Sequence, residues 1–330
     1  MCQKGFLNIL AIFFLITIIL LSGCSTPPKQ KSFPEKTIDY QKLDFFETLI
    51  EYYKTQDLED KKQIVKILET KADELIETNN KRDIVPALIL IAQTKDPLFY
   101  DYITSLLFRF KDDPATVRNL IADLAILGDK RAIAIITEHT DINDIYSSVN
   151  SDVARMQLGD ESVLRNLLDY SRDDTTGNGL IKMEAIHGLG YSSSQDATNR
   201  LNEIITNKET WSSDTYRVLE NQKILNTPLE TKKEYLLSLL KAKREDIRRL
   251  ALFHLTELPY DPVLEEKLIP IFEESFKSLA YPGGKVYSGK ELKLRQESFL
   301  YSLIYSANLR PWVEEKLLKL KQLPEDRPLE

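Results

Sequence analysis

The sequence predicts an all-α fold, an α-solenoid of stacked antiparallel helix pairs, and three observations carry that prediction. From Tyr40 onward apolar residues recur at spacings of three and four, without a convincing run of period-two alternation. Helix starts are unusually legible. Asp96-Pro97, Asp113-Pro114, Thr227-Pro228 and Asp261-Pro262 each set a side-chain acceptor before a proline, the pairing suited to an N-cap followed by a first helical residue that needs no N–H. The third observation is a turn that recurs at one constant spacing, as Leu127-Gly128-Asp129, Leu158-Gly159-Asp160 and Leu189-Gly190-Tyr191.

Each part of that turn has a physical role. Leu closes an apolar face, Gly takes the left-handed conformation that ends a helix, and Asp caps the next helix, with Ser192 filling that place in the third copy. Apolar stripes follow: Ala132, Ile133, Ile136; Val163, Leu164, Leu167; Ala197, Leu201, Ile204. Caps placed at Asp96, Asp129, Asp160, Ser192, Thr227 and Asp261 recur at a mean interval of about 33 residues, within the range of helical-repeat periods. Such a period holds two helices of about twelve residues with two short turns, and a pair of that size buries its apolar face only by stacking on its neighbours. Within one unit, Val117, Leu120, Ile121, Leu124 and Leu127 fall on a single helical face. Thr227 with Glu230, and Ser192 with Gln195, fit the capping-box pattern.

From about Ile84 to Phe276 these turns and stripes resemble HEAT-like repeats, especially the short phycobilin-lyase type. The resemblance implies a stack of helix pairs and no catalytic activity. Tetratricopeptide repeats have a similar period of about 34 residues, but their Trp, Leu-Gly and Tyr positions in the first helix do not recur here. The glycine here falls between helices, as a helix stop. Residues 40–83, with helices expected at Leu43–Tyr53 and Leu58–Thr78, are read as an N-terminal cap and 84–280 as the repeats. Residues 281–330 are read as a loop near Tyr281–Lys290 followed by capping helices at Glu291–Ser306 and Pro311–Leu320.

The segment 1–23 reads as an address rather than as fold. Lys4 precedes an apolar run from Phe6 to Leu21, which as a helix is about 24 Å long, short of a ~30 Å hydrocarbon core. The run ends in Leu21-Ser22-Gly23-Cys24, which resembles the lipobox of bacterial lipoprotein precursors. That resemblance implies diacylglyceryl transfer to the Cys24 thiol, cleavage before it and acylation of the new amino terminus, so that the chain is held at a membrane by several acyl (palmitate-class) chains. Ser25 does not look like the Asp retention signal of enteric lipoproteins, which favours the outer membrane. Ser25–Asp39, with Pro27, Pro28, Pro34 and three lysines, reads as a tether reaching at most ~45 Å when extended.

Composition narrows the function classes. A net charge of −7 argues against a nucleic-acid partner, which needs an excess of cations to displace phosphate counterions. Two cysteines, one of them in the leader, supply neither a disulfide framework nor a thiolate zinc site. His139, His187 and His254 form no metal-ligand pair, and the latter two read as structural histidines inside apolar helices. Gly284 to Lys290 has the spacing of a phosphate-binding loop, but Glu291 stands where Ser or Thr should hold magnesium. Asp174, Thr176, Asn178 and Gly179 imitate a calcium loop whose last ligand position is Ala185, with Glu184 one place early.

The expected function is therefore a non-enzymatic, membrane-anchored extracytoplasmic scaffold or adaptor that holds an envelope protein or peptide, with no metal, nucleotide or cofactor beyond the lipid on Cys24. A tetratricopeptide-like assembly lipoprotein is the alternative, and a glycan-active envelope enzyme a weaker one. Tyr281, Tyr287 and Trp312 give the last fifth an aromatic bias and are candidate partner anchors.

Overall fold

The computed structural model describes residues 39–77, 81–172, 179–280, 287, 289–324 and 327–329, and of residues 81–86 the backbone alone. The leader, Leu21–Cys24, the tether up to residue 38, Tyr281, most of the phosphate-loop lookalike and Asp174 to Asn178 lie outside these residues. Among the described residues there are sixteen α-helices and no strand. None of these helices is long and apolar enough to cross a membrane.

Two helices open the folded part, α1 (Phe45–Lys54) and α2 (Leu58–Glu77). The start of α1 is a full capping box: Glu47 N–H donates to Asp44 Oδ1 (2.7 Å) and Asp44 N–H donates to Glu47 Oε2 (2.9 Å). Then come α3 (Lys81–Gln93), α4 (Tyr100–Arg109), α5 (Pro114–Leu127), α6 (Ala132–Glu138), α7 (Ile145–Gln157), α8 (Leu164–Arg172) and α9 (Gly179–Leu189). The chain continues through α10 (Gln195–Thr206), α11 (Ser212–Asn226), α12 (Leu229–Leu239), α13 (Glu245–Thr256) and α14 (Pro262–Ser278). It ends in α15 (Gly289–Tyr301) and α16 (Arg310–Gln322). Successive helices pair as α4 with α5, α6 with α7, α8 with α9, α10 with α11 and α12 with α13. The odd-numbered helices from α3 to α13 touch in series.

The Asp-Pro starts behave as their chemistry requires at three places. Asp96, Asp113 and Asp261 are N-caps whose carboxylates accept backbone N–H groups, each followed by proline in the first turn. Each such cap contributes about 1 kcal/mol. Thr227 departs from the pattern. Its hydroxyl donates to Lys223 O (2.7 Å), so it closes α11, and Pro228 takes the cap position of α12. Ser192 is also diverted: it is buried, its hydroxyl donates to the Glu161 carboxylate, and Ser194 caps α10 instead. Neither Thr227 with Glu230 nor Ser192 with Gln195 forms a capping box, because both hydroxyls are engaged elsewhere.

The three glycine turns split into two kinds. Gly128 (φ 82°) and Gly159 (φ 86°) adopt the left-handed conformation, and Asp129 and Asp160 accept N–H groups two residues on. Gly190 does not have a left-handed φ. A Cβ there would lie 2.6 Å from Val218 Cγ1 and 3.2 Å from Val218 O, so this glycine exists to let α11 close on the end of α9.

The ends of the array meet. Phe46 on α1 stacks on Tyr301 (centroids 3.9 Å apart), the Arg310 guanidinium covers the Tyr53 ring and donates to Tyr53 O, and Lys54 pairs with Glu314. Lys321 pairs with Glu47, and Lys95 with Glu257. One apolar core accordingly runs through the first helices and the last, from Phe45 to Leu158 and from Ile224 to Leu320. A second, smaller core of Met156, Val163, Leu167, Ile186, Leu201 and Val218 fills the middle pairs. The sequence assigned the two terminal segments to opposite caps, and the structure packs them against each other.

Helix α15 stops at Tyr301 rather than at Ser306. The buried Asn308 amide donates to Leu258 O and Pro259 O, and its Oδ1 accepts from Asp261 N–H, which draws the chain out of helical register.

Candidate functional site

A cleft of about 430 Å³ opens across α9, α11 and α13. Helix α9 and its following turn supply His187 and Tyr191; α11 supplies Arg217, Val218 and Asn221; α13 supplies Asp246, Arg249, Leu250 and Phe253. The spacing on α13 is i, i+3, i+4, i+7, one face of a helix. The same face recurs on the neighbours at equivalent places. Glu184, Asp214 and Asp246 stand first, His187, Arg217 and Arg249 second, Gly188, Val218 and Leu250 third, and Tyr191, Asn221 and Phe253 last. Stacking turns these four sequence positions into rows that cross the three helices.

Val218 and Leu250 are the aliphatic part of a mixed lining, and Gly190 lets Val218 approach the end of α9 closely. The mouth carries Tyr191 and Phe253, 37% and 48% exposed. The charges are unevenly satisfied. Asp246 is held by a two-pronged contact from Arg244 (3.0 and 2.6 Å), which lowers its carboxyl below the ordinary range. Arg249 pairs with Glu245. Arg217 makes no ion pair among the described residues; its Nη2 donates to His187 Nε2 at 3.4 Å. Because a guanidinium can only donate, the contact suits a neutral imidazole whose Nε2 accepts, the form that burial favours. Burial holds His187 below its ordinary 6.5, and Arg217 adds to the depression against the opposing pull of Glu184 and Asp214.

The other two histidines are engaged elsewhere. His139 Nδ1 lies 3.0 Å from Ile135 O, and His254 is buried with Nδ1 against Glu257 and Nε2 against Asn221 Oδ1 (2.8 Å). Among the described residues no group of three or more His, Cys, Asp or Glu side chains could hold a metal ion. Glu291 of the phosphate-loop lookalike lies on α15, and Glu184 and Ala185 of the calcium-loop lookalike lie on α9.

The aromatic anchors expected in the last fifth are not brought together as a surface. Trp312 is 6% exposed, donates from Nε1 to Glu273 Oε2 (2.9 Å) and packs edge-on against Phe276, so it belongs to the core. Tyr287 is half-buried beneath the Arg295 guanidinium, 3.8 Å from its ring centre, and Tyr281 lies outside the described residues.

Sequence reasoning did not single out the cleft. Its signal was present: Asp214-x-x-Arg217-Val218 returns 32 residues later as Asp246-x-x-Arg249-Leu250, a polar pattern on a face where an apolar stripe would be needed for burial. No protein-family model matches the chain, and no curated protein matches it.

Proposed function

We propose that this protein is a lipid-anchored, extracytoplasmic adaptor of the bacterial envelope, built as an α-solenoid of HEAT-like repeats, that holds a protein partner in the α9–α11–α13 cleft. The cleft carries this reading. It combines two exposed aromatic rings, the aliphatic side chains of Val218 and Leu250 and a cation, Arg217, with no carboxylate partner among the described residues, the composition of a recognition surface rather than of a reaction centre. The serial contact of α3, α5, α7, α9, α11 and α13, at the same period of about 33 residues as the caps, supports the repeat assignment. Leu21-Ser22-Gly23-Cys24 supports the anchor, with acyl chains on Cys24 and residues 25–39 as tether. The step from repeat fold to adaptor is an analogy between folds.

The test is photo-crosslinking of the full chain in cells, with the photoreactive residue at Phe253 and, as control, at Ile142, which is exposed and distant in sequence. The expected result is one envelope protein captured from position 253 and not from 142, with the wild type in the membrane fraction and Cys24→Ala released from it. An anchored protein that captures nothing at 253 refutes the adaptor; a Cys24→Ala variant that stays in the membrane refutes the anchor.

A further inference from the structure

We infer that the cleft recognises an extended peptide that presents a carboxylate to Arg217 and, on a neighbouring helix, an apolar side chain to Phe253 or Tyr191. This deepens the adaptor reading and rests on it.

Charge complementarity selects the carboxylate. Arg217 is half-buried, its one hydrogen bond goes to a neutral imidazole, and the neighbouring cation Arg249 is already paired with Glu245. A guanidinium forms a planar two-pronged contact with a carboxylate and gains more from it than from an imidazole nitrogen. The site suits a single negative charge. Glu184 and Asp214, one row away and acting on His187 beside Arg217, oppose a second one, which disfavours a phosphate dianion.

The rows select an extended ligand. Equivalent positions on packed helices repeat every ~8–10 Å. A polyproline II chain has three residues per turn and rises ~3.1 Å per residue, so side chains i and i+3 point the same way about 9 Å apart. Phe253 and Tyr191 stand four residues, about 6 Å, further along their helices than the equivalents of Arg217, so the span is about 10–12 Å. A peptide crossing the helices obliquely therefore places its acidic side chain on α11 and, three or four residues along, an aromatic or branched aliphatic side chain on the exposed ring of α13 or of the α9 turn. The volume of about 430 Å³ lies within the range of sites for compact ligands, ~300–1,000 Å³.

The experiment is selection of a random octapeptide phage library on full-length protein in detergent micelles, followed by anisotropy titration of the enriched peptides. The expected result is enrichment of an Asp or Glu three or four positions from an aromatic or aliphatic residue. Affinity should then fall about tenfold or more on Arg217→Gln, and equally on replacing the peptide's acid by its amide. The two changes together should cost no more than either alone, because they remove the same contact. Phe253→Ser, at a half-exposed position, should weaken binding without altering helicity. Enriched peptides that lack a carboxylate, or that bind Arg217→Gln unchanged, overturn the inference. So does a library that yields no binder, or a cleft that takes glycan fragments and no peptide. If Phe253 captures a partner in cells while any of these results is obtained, the ligand class falls and the adaptor reading stands; if it captures none, both fall.

Discussion

Asp123 sits on α5, 4% exposed, with burial as the cause that pushes its carboxyl from 3.8 up to about 7. The equivalent places on α7 and α9, five residues before the turn glycine, are Ala154 and Ala185, both buried. The fold therefore prefers the neutral acid. The unfolded chain ionises near pH 4, and the folded chain resists ionisation until about pH 7. Between those values the folded state holds the extra proton, so stability falls as pH rises through the window, by up to about 1.4 kcal/mol per unit, and levels off above it. The charged form costs the fold about 4 kcal/mol at pH 8. Asp123→Ala removes that cost and adopts the residue its neighbours use, at the expense of a small packing loss that does not depend on pH. Urea unfolding of wild type and variant, followed by circular dichroism at pH 4.5 and pH 8, isolates the effect. The variant should gain about 3 kcal/mol relative to wild type between the two pH values. A stability difference equal at both pH values would show that Asp123 does not titrate abnormally and would refute the reasoning.

Three further outcomes are expected. Gly128→Asn should be nearly silent, because Asn accepts a left-handed φ, whereas Gly190→Asn should cost about 1–3 kcal/mol by overpacking against Val218, read as a drop in urea midpoint. Arg200, 3% exposed, donates to Ser171 O at 2.7 Å and to both Glu209 oxygens at 2.8 Å, while Lys182 reaches the same carboxylate; Arg200→Ala should cost about 1–3 kcal/mol by leaving Ser171 O unpaired and Glu209 to Lys182 alone, and thermal melts that leave Tm unchanged would contradict this. In an NMR titration His187 should protonate below 6.5, and Arg217→Gln should move its midpoint upward while burial keeps it below that of a free imidazole.

Local chemistry was legible in the sequence where it is settled by a few adjacent residues. Asp96, Asp113 and Asp261 cap helices because an acceptor before proline has few other uses, and Gly128 and Gly159 end them for a similarly local reason. Thr227, Ser192 and Gly190 carry the same patterns, yet each is governed by a group distant along the chain or on the preceding helix: Lys223 O, Glu161 and Val218. The cleft was missed for that reason too. Arg217 is an ordinary polar-face arginine until the packing of α11 on α9 sets it against His187, and Trp312 resembles an anchor until Glu273 and Phe276 enclose it.

A stack of helix pairs ordinarily leaves a bare apolar face at each end, which must be covered by a polar cap. Here each end covers the other. The ion pairs along that seam are largely exposed, and such pairs contribute at most about 1 kcal/mol each. The seam is held chiefly by Phe46 on Tyr301, by Arg310 over Tyr53 and by the continuous core beneath them. Joining the ends places the discontinuity of packing elsewhere. Val218 on α11 belongs to the smaller core, whereas Ile224 on the same helix and Leu250 on α13 pack with the larger one. The cleft opens where those two cores adjoin, and its rows run from α9 across α11 to α13, over that boundary. A ligand gripping Arg217 and Phe253 spans the junction, so part of its binding energy acts to hold the two cores in one arrangement.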